Sequence, residues 1–195
     1  MREGTVLPPD FYRRSTLAVA RDLLGQRLVR EIDGGRLCGM IVETEAYVGE
    51  DDPACHAARG LTPRNRPMYG PPGVAYVYFI YGMYHCLNAV TEREGFPAAV
   101  LIRALEPLEG IAAMAARRGT DVPRQLCNGP GKLCMALGID RELNGVNLDG
   151  AALRIEAGPP LPDTAVVSST RIGIRVGVEH PWRFLVKGNR HVSRP

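Results

Sequence analysis

Lysine is nearly absent from this chain of 195 residues. Lys132 and Lys187 are the only lysines among 24 basic residues, and the rest are arginines. Arginine makes forked contacts to phosphate and carboxylate groups, which fits a partner that carries such groups, but a composition bias of the genome explains the excess equally well. The net charge of +3 permits a nucleic-acid partner without requiring one.

Long hydrophobic runs are also missing. No stretch approaches the roughly 20 apolar residues of a membrane span, and residues 1–14 lack the apolar core of a signal peptide. We therefore expect a cytoplasmic protein with no membrane contact. The length and the hydrophobic content of 45% fit a single domain, residues 1–195, with a substantial core.

The cysteines show no pairing pattern, because the five of them are scattered and no CxxC motif occurs. Cys127 and Cys134 are the two nearest to each other, and no histidine stands at ligand spacing from them. We predict buried thiols rather than a zinc site or a disulfide framework, and no metal or cofactor. Asp51 and Asp52 could contact magnesium, but a solvated loop is the favoured interpretation.

Local patterns predict an α+β domain with a curved, mostly antiparallel sheet, surrounding helices and a protruding β-hairpin. Ser15 is placed to cap the first helix and Gly25 to end it. The predicted elements are a helix at 16–24, strands at 26–32, 36–48, 98–107, 171–178 and 182–188, a hairpin at 74–91, and helices at 108–118 and 128–138. Residues 49–73 form a long polar loop, whose proline, arginine and aromatic content predicts a packed binding loop.

The predicted hairpin holds four of the seven tyrosines, Tyr76, Tyr78, Tyr81 and Tyr84. Alternation places Tyr76 and Tyr78 on one face. Tyr81 stands at the tip, where an aromatic side chain cannot bury itself in its own core. A tyrosine-rich core strand is the commoner explanation for such aromatics. The alternative is a stacking surface for a planar ligand, with a wedge at its end.

Charged residues stand in apolar strands at three positions. Glu43 and Glu45 share a face with Tyr47, and because two glutamates cannot both be buried deeply without partners, we expect one to be exposed and one to be functional. Arg103 among apolar neighbours needs a carboxylate or a ligand as its partner. Lys132, at the start of a predicted helix, lacks the surroundings of an ATP-binding loop but could contact a backbone phosphate.

Several long stretches together resemble one known family. They are LGQRLVRE (24–31), IVETEAYVG (41–49), His56, TPRNRPM (62–68), YVYFIYGMYHCLN (76–88), LIRALEPLEG (101–110), NGPGKLCMALGI (128–139), RIGI (171–174) and WRFLV (182–186). In this order they resemble the 3-methyladenine (alkyladenine) DNA glycosylase family, in a compact bacterial form, over nearly the whole chain. The departures are small: Cys55 precedes His56, and Tyr69 stands where an aromatic residue, often Phe, is expected.

The resemblance implies excision of a damaged purine from DNA, with an abasic site as the product. The base must first be flipped out of the duplex, at a cost of a few kcal/mol, and Tyr81 would fill the gap through the minor groove. Glu45 matches the family's base, which activates water and stabilises the sugar cation. Arg103 would hold the water and keep that carboxylate ionised. Glu43 is then the structural glutamate.

The resemblance also assigns the contacts to the base and to DNA. The flipped purine would lie between Tyr47 and Tyr78 on one side and His56 on the other, with Asn88 at the pocket floor, where it would clash with the 2-amino group of guanine. Alkylated purines carry positive charge, so stacking on tyrosine would gain about 0.5–2 kcal/mol. The expected DNA contacts are Thr62, Arg64, Tyr76, Tyr81, Met83 and Lys132.

The expected partner is damaged double-stranded DNA, bound by a monomer that associates with the nucleoid through DNA. A sugar hydrolase that uses Glu43 and Glu45 as a pair is a rival, but side chains on one face of a strand do not flank a bond. The remaining alternative is a non-catalytic nucleic-acid binding module, in which the tyrosines stack on bases and Glu45 and Arg103 have no role.

Overall fold

The computed structural model describes residues 2–194, which form one α+β domain around an eight-stranded antiparallel sheet. The strands are β1 (Arg27–Ile32), β2 (Gly35–Val48), β3 (Ala75–Ile80), β4 (Tyr84–Val90), β5 (Ala98–Glu109), β6 (Leu153–Glu156), β7 (Val166–Ser169) and β8 (Arg183–Val186). The main path is β3-β4-β5-β2-β1-β6, and β8 joins it by pairing with both β2 and β7. The sheet curls into a half-barrel, so the predicted fold class is confirmed.

Strand β2 carries the predicted catalytic region, and three strands pair with it. β1 pairs with its first part, β8 with residues 43–45, and β5 with residues 38–48 along the other edge. The register between β2 and β5 shifts on both sides of Glu43. Such bulges bend a strand and change the direction of its side chains. Glu43 and Glu45 therefore lie where β2 is covered on both edges.

Short helices pack around the sheet. They are α1 (Pro9–Tyr12), α2 (Thr16–Asp22), α3 (Ile111–Arg118), α4 (Pro123–Leu126) and α5 (Pro130–Leu137), with 3-10 helices at Arg66–Tyr69, Arg141–Leu143 and Asp163–Ala165. The Ser15 hydroxyl accepts a hydrogen bond from Ala18 N at 3.4 Å, which confirms the predicted cap. The buried Thr44 hydroxyl of β2 donates to Ala20 O at 2.7 Å and fixes α2 against the sheet.

Strands β3 and β4 form the predicted hairpin. Ile80 pairs with Tyr84, and Met83 N donates to Ile80 O at 3.3 Å. Tyr81 and Gly82 between them have positive φ angles of 55° and 69°, as at the two central positions of a type I′ turn. Left-handed backbone costs a non-glycine residue roughly 1–2 kcal/mol. The turn therefore holds Tyr81 at the tip, 81% exposed, against its conformational preference.

Three parts of the structure differ from the sequence expectation. Residues 171–178 form no strand, because Gly173 and Gly177 take positive φ angles of 78° and 62° that break an extended backbone despite the alternating pattern. Strand β5 continues to Glu109, so α3 begins at Ile111, later than predicted. Strands β6 and β7 are not predicted at all.

The core lies between the concave sheet and helices α2, α3 and α5. All five cysteines are buried and free, as predicted. Within residues 2–194, no helix has the length and apolar character needed to cross a membrane.

Candidate active site

A cavity of about 690 Å³ opens between the hairpin, β5, the start of α5 and residues 172–174. The predicted site residues that line it are Tyr47, His56, Tyr76, Tyr78, Tyr81, Asn88, Arg103 and Lys132. Glu45 does not line the cavity but lies directly behind Tyr47, to which it is hydrogen-bonded. Thr62, Arg64 and Met83 lie outside the cavity lining. The fold therefore gathers the predicted residues from five separate parts of the chain around one space.

Glu45 is completely buried behind the cavity wall. Its Oε1 accepts a hydrogen bond from Ile172 N at 2.7 Å. Its Oε2 accepts one from the Tyr47 hydroxyl at 2.8 Å and lies 3.2 Å from Nη1 of Arg103. An ionised carboxylate has about four acceptor positions, so these three donors leave room for one water molecule. The residues of all three donors line the cavity, so the carboxylate lies directly behind the cavity wall.

Glu43 is also completely buried, so the expectation that one of the two glutamates is exposed is wrong. Its Oε1 accepts from Nε of Arg103 at 2.9 Å and from Nε of Arg183 at 2.8 Å. Its Oε2 accepts from Ser193 N at 2.5 Å. These partners explain how a second carboxylate can be buried beside Glu45. Glu43 therefore holds Arg103 on the side away from Glu45 and ties Ser193 to the sheet.

Arg103 bridges the two glutamates and is 7% exposed. Burial acts to lower the pKa of Arg103, but the carboxylates of Glu45 and Glu43 outweigh burial and raise the pKa. The guanidinium is therefore permanently charged. The prediction that Arg103 has carboxylate partners is confirmed.

Arg171 is a structural element of the site that sequence reasoning missed. Its guanidinium binds Asp52 through two hydrogen bonds of 2.5 and 2.8 Å, and both side chains are completely buried. Its Cζ also lies 4.8 Å from the ring centroid of Tyr47 and 5.0 Å from that of Trp182. Ile172 is the next residue in the chain, so the ion pair between Arg171 and Asp52 also fixes the Ile172 N–H that donates to Glu45. The only signal for this arginine in the sequence was its position as the first residue of the RIGI stretch, residues 171–174.

Asp52 is therefore not part of a solvated loop, as the sequence favoured, but half of a buried ion pair. Its carboxylate also accepts from Val48 N at 3.2 Å and from Ala54 N at 3.1 Å. Within residues 2–194, no cluster of three or more His, Cys, Asp or Glu side chains could hold a metal ion.

His56 and Tyr78 touch each other at the cavity wall. Their ring centroids are 4.5 Å apart at an interplanar angle of 71°. A base stacked between two rings needs about 7 Å between them, so the predicted sandwich requires His56 and Tyr78 to separate. Burial, followed by the charge of Arg64, lowers the pKa of His56, which keeps the imidazole neutral at pH 7.

Tyr76 is only 1% exposed, so the predicted DNA contact is closed to it in this structure. Its hydroxyl lies 2.8 Å from Nδ1 of His56. Its backbone carbonyl accepts a hydrogen bond from the side-chain amide of Asn88 at 3.0 Å. Tyr76 thus contacts His56 and Asn88, two of the predicted base-binding residues.

Asn65 is a second residue that sequence reasoning missed, and it holds the 49–73 loop together. Its buried side-chain amide donates to the carbonyls of His56 and Gly60, each at 2.9 Å. Its Oδ1 accepts from Thr62 N at 2.7 Å, and the Thr62 hydroxyl accepts from Asn65 N at 3.3 Å. The loop is packed, as predicted. Hydrogen bonds of the Asn65 side chain hold it together in place of apolar contacts, so its sequence shows no hydrophobic periodicity.

The remaining predicted DNA contacts lie around the mouth of the cavity. Tyr81 and Met83 are 81% and 64% exposed at the hairpin tip. Arg64 is exposed beside them and donates to Phe79 O at 3.1 Å. Lys132, half-buried at the start of α5, donates to Oδ1 of Asn128 at 2.9 Å. Apolar and cationic side chains thus share one rim.

An aromatic cavity with a buried carboxylate behind its wall, cationic side chains at its rim and an exposed aromatic side chain at its mouth suits a protein that acts on nucleic-acid bases. A model of the methylpurine-DNA glycosylase (MPG) family matches residues 10–190. The chain is 53% identical to a protein of Methanocella arvoryzae over 97% of this chain and 96% of that protein. It is 52% identical to one of Carboxydothermus hydrogenoformans over 97% of this chain and 99% of that protein.

Both relatives bear the name "Putative 3-methyladenine DNA glycosylase". The chain belongs to the methylpurine-DNA glycosylase family.

Proposed function

We propose that this protein removes damaged purines from double-stranded DNA by hydrolysing the N-glycosidic bond, and that it leaves an abasic site. The observation that supports this most directly is the buried Glu45, bonded to Arg103 behind the wall of an aromatic cavity. The bases concerned are alkylated or deaminated purines, the class of 3-methyladenine, 7-methylguanine, hypoxanthine and ethenoadenine.

Water activated by Glu45 is the nucleophile in this proposal. The remaining acceptor position of the carboxylate takes a proton from water at the cavity wall, where Arg103 offers a further donor. As the bond to the base breaks, the sugar becomes positively charged, and the buried carboxylate stabilises that charge. The bonds from Tyr47 and Ile172 hold the carboxylate in one orientation, so no reorganisation is needed during the reaction.

The cavity would receive the flipped base, with Tyr47, His56 and Tyr78 as ring contacts and Asn88 at the floor. Asn88 is 4% exposed, and its amide is fixed by the Tyr76 carbonyl. A fixed amide rejects a base with a badly placed group more strongly than a mobile one. The alternative of a non-catalytic binding module leaves the buried Glu45 and Arg103 pair without a role.

A duplex with one hypoxanthine, incubated with the protein and then heated in alkali, tests the proposed activity. A glycosylase yields a strand break at the lesion after alkali, whereas a binding module yields only a shifted band before it. The same duplex without the lesion is the control. A shifted band with no alkali-sensitive site, obtained with hypoxanthine and with ethenoadenine alike, would favour the binding module.

Replacing Tyr81 with alanine should weaken base flipping rather than bond cleavage. The exposed ring can fill the gap in the stack, so its loss favours the unflipped state. Stacking of a base on an aromatic side chain contributes roughly 1–3 kcal/mol, so we expect the rate of excision from a paired duplex to fall roughly fivefold to a hundredfold. Single-turnover rates on paired and mismatched lesions measure the effect, which should be smaller for the mismatch.

Leu108→Ala is the control for the Tyr81 variant, since Leu108 is also an exposed apolar side chain, 41% accessible, at the far end of β5. It should leave both rates unchanged. Equal losses on paired and mismatched lesions in the Tyr81 variant would place its role in chemistry or folding instead of flipping.

The protein should stop at the abasic site and not cut the strand. Strand cutting by a glycosylase needs an amine that forms a Schiff base with the sugar. Lys132 is the lysine that lines the cavity, and its amine is held by Asn128 at 2.9 Å. Borohydride added during the reaction should trap no protein–DNA adduct. An adduct that disappears in Lys132→Gln but persists in Lys187→Gln would contradict direct hydrolysis.

A further inference from the structure

Two arginines lie against tyrosine rings that line the cavity. The Cζ of Arg171 is 4.8 Å from the ring centroid of Tyr47, and the Cζ of Arg64 is 5.3 Å from that of Tyr78. Both rings line the cavity, and neither arginine does. Each guanidinium therefore lies over a ring that lines the cavity without lining the cavity itself.

The charges of these two arginines are balanced differently. Arg171 forms a two-bonded ion pair with Asp52, and both side chains are completely buried. Arg64 is exposed and donates to a backbone carbonyl, that of Phe79, at 3.1 Å. Among the ion pairs formed within residues 2–194, none includes Arg64. Within these residues the charge over Tyr78 therefore has no carboxylate partner, whereas the charge over Tyr47 is neutralised by Asp52.

A cation on one face of an aromatic ring weakens the attraction of the other face for a second cation. The face of a tyrosine ring attracts cations because the ring quadrupole places negative charge there. The guanidinium of Arg64 already interacts with the negative face of the Tyr78 ring, and its positive charge also repels a positively charged base that stacks on this ring. A neutral base stacks on Tyr78 through dispersion and apolar burial and does not experience this repulsion.

We propose that Arg64 determines specificity by the charge of the base, favouring neutral damaged purines over cationic ones. The inference rests on the proposed glycosylase function and names the class of base that the same cavity prefers. It reverses the expectation that every tyrosine of the cavity attracts a cationic purine, since the Tyr78 ring already has a cation over it.

The state of His56 fits the same preference. Its ring lies edge-on to Tyr78 at 4.5 Å, and its Nδ1 is hydrogen-bonded to Tyr76. Burial and the charge of Arg64 together lower the pKa of His56. Because Nδ1 is taken by Tyr76, a neutral imidazole leaves Nε2 as one donor or one acceptor for the edge of a neutral purine.

Two duplexes that differ only in the charge of one base test the inference. One carries 7-methylguanine, which is cationic in DNA, and the other carries 7-methyl-7-deazaguanine, which has the same shape and is neutral. A 2′-fluorine on the sugar prevents cleavage by destabilising the sugar cation, so dissociation constants can be measured. The ratio of the two constants cancels phosphate contacts, because these affect both duplexes alike.

The Arg64→Gln variant should shift this ratio toward the cationic base by about two- to fivefold relative to the wild type. Arg64→Lys, which keeps the charge, should stay close to the wild type. Arg66→Gln is the matched control, because Arg66 is an exposed arginine of the same loop, and it should weaken both complexes equally. All variants should be compared in the same buffer at about pH 7, because alkaline buffer removes the N1 proton of 7-methylguanine and cancels its positive charge.

An unchanged ratio in Arg64→Gln, or an equal shift in Arg66→Gln, would overturn the inference. The hypoxanthine excision assay on the wild type separates this failure from the failure of the proposed function. If the wild type excises hypoxanthine and the ratio does not respond to Arg64, only the inference is wrong. If the wild type excises no damaged base, the proposed function fails and the inference with it.

Discussion

Replacing Glu45 with glutamine should lower the single-turnover rate of base excision by a factor on the order of 10²–10⁴, the usual contribution of a general base. The amide keeps the shape of the side chain but can neither accept a proton from water nor stabilise the sugar cation. The variant should still bind a damaged duplex in preference to an undamaged one. Near-normal cleavage would remove Glu45 from the proposed mechanism.

The control for this variant must be chosen from the structure. Glu43→Gln is unsuitable, because Glu43 is completely buried and neutralises Arg103 and Arg183. Glu94→Gln changes an exposed glutamate in the turn after β4 and should leave the rate unchanged. The amide at position 45 also leaves one buried donor unpaired, at a cost of about 1–3 kcal/mol. Rates should therefore be compared at a temperature where both variants are folded.

Replacing Arg171 with methionine should lower the free energy of unfolding by about 3–5 kcal/mol, because it leaves the buried carboxylate of Asp52 without its partner. The change also frees the segment whose Ile172 N–H binds Glu45, so excision should fall as well. Urea unfolding at neutral pH measures the stability. Arg175→Met, an exposed arginine of the same segment, should change stability by no more than about 0.5 kcal/mol.

A double-mutant cycle with Asp52→Asn isolates the ion pair. Once Arg171 is methionine, removing the charge of Asp52 should cost much less than it does in the wild type, or even restore stability, with a coupling of roughly 0.5–3 kcal/mol. Additive losses would mean that Arg171 stabilises the protein through its packing on Tyr47 and Trp182 and not through its charge.

Local sequence patterns were sufficient wherever the controlling interactions are short-range. The Ser15 cap, strands β1 and β2 with their connecting turn, and the hairpin tip at Tyr81 depend on neighbours a few residues apart. A prediction from hydrophobic periodicity fails where backbone conformation or a contact with a distant part of the chain decides the structure. Residues 171–178 alternate like a strand, yet Gly173 and Gly177 adopt left-handed backbone, and Ile172 of this segment donates its N–H to Glu45 instead.

The sequence by itself identified the family and the candidate site, because Glu45, Arg103, the tyrosines and His56 stand in stretches specific enough to name that family. The tertiary structure alone decided how charges are shared among them. Arg171 and Asp52 meet across more than a hundred residues of chain, and Glu43 meets Ser193 across a longer distance still. Buried charge requires a partner because desolvation is costly, but which partner satisfies it depends on strands brought together only by folding.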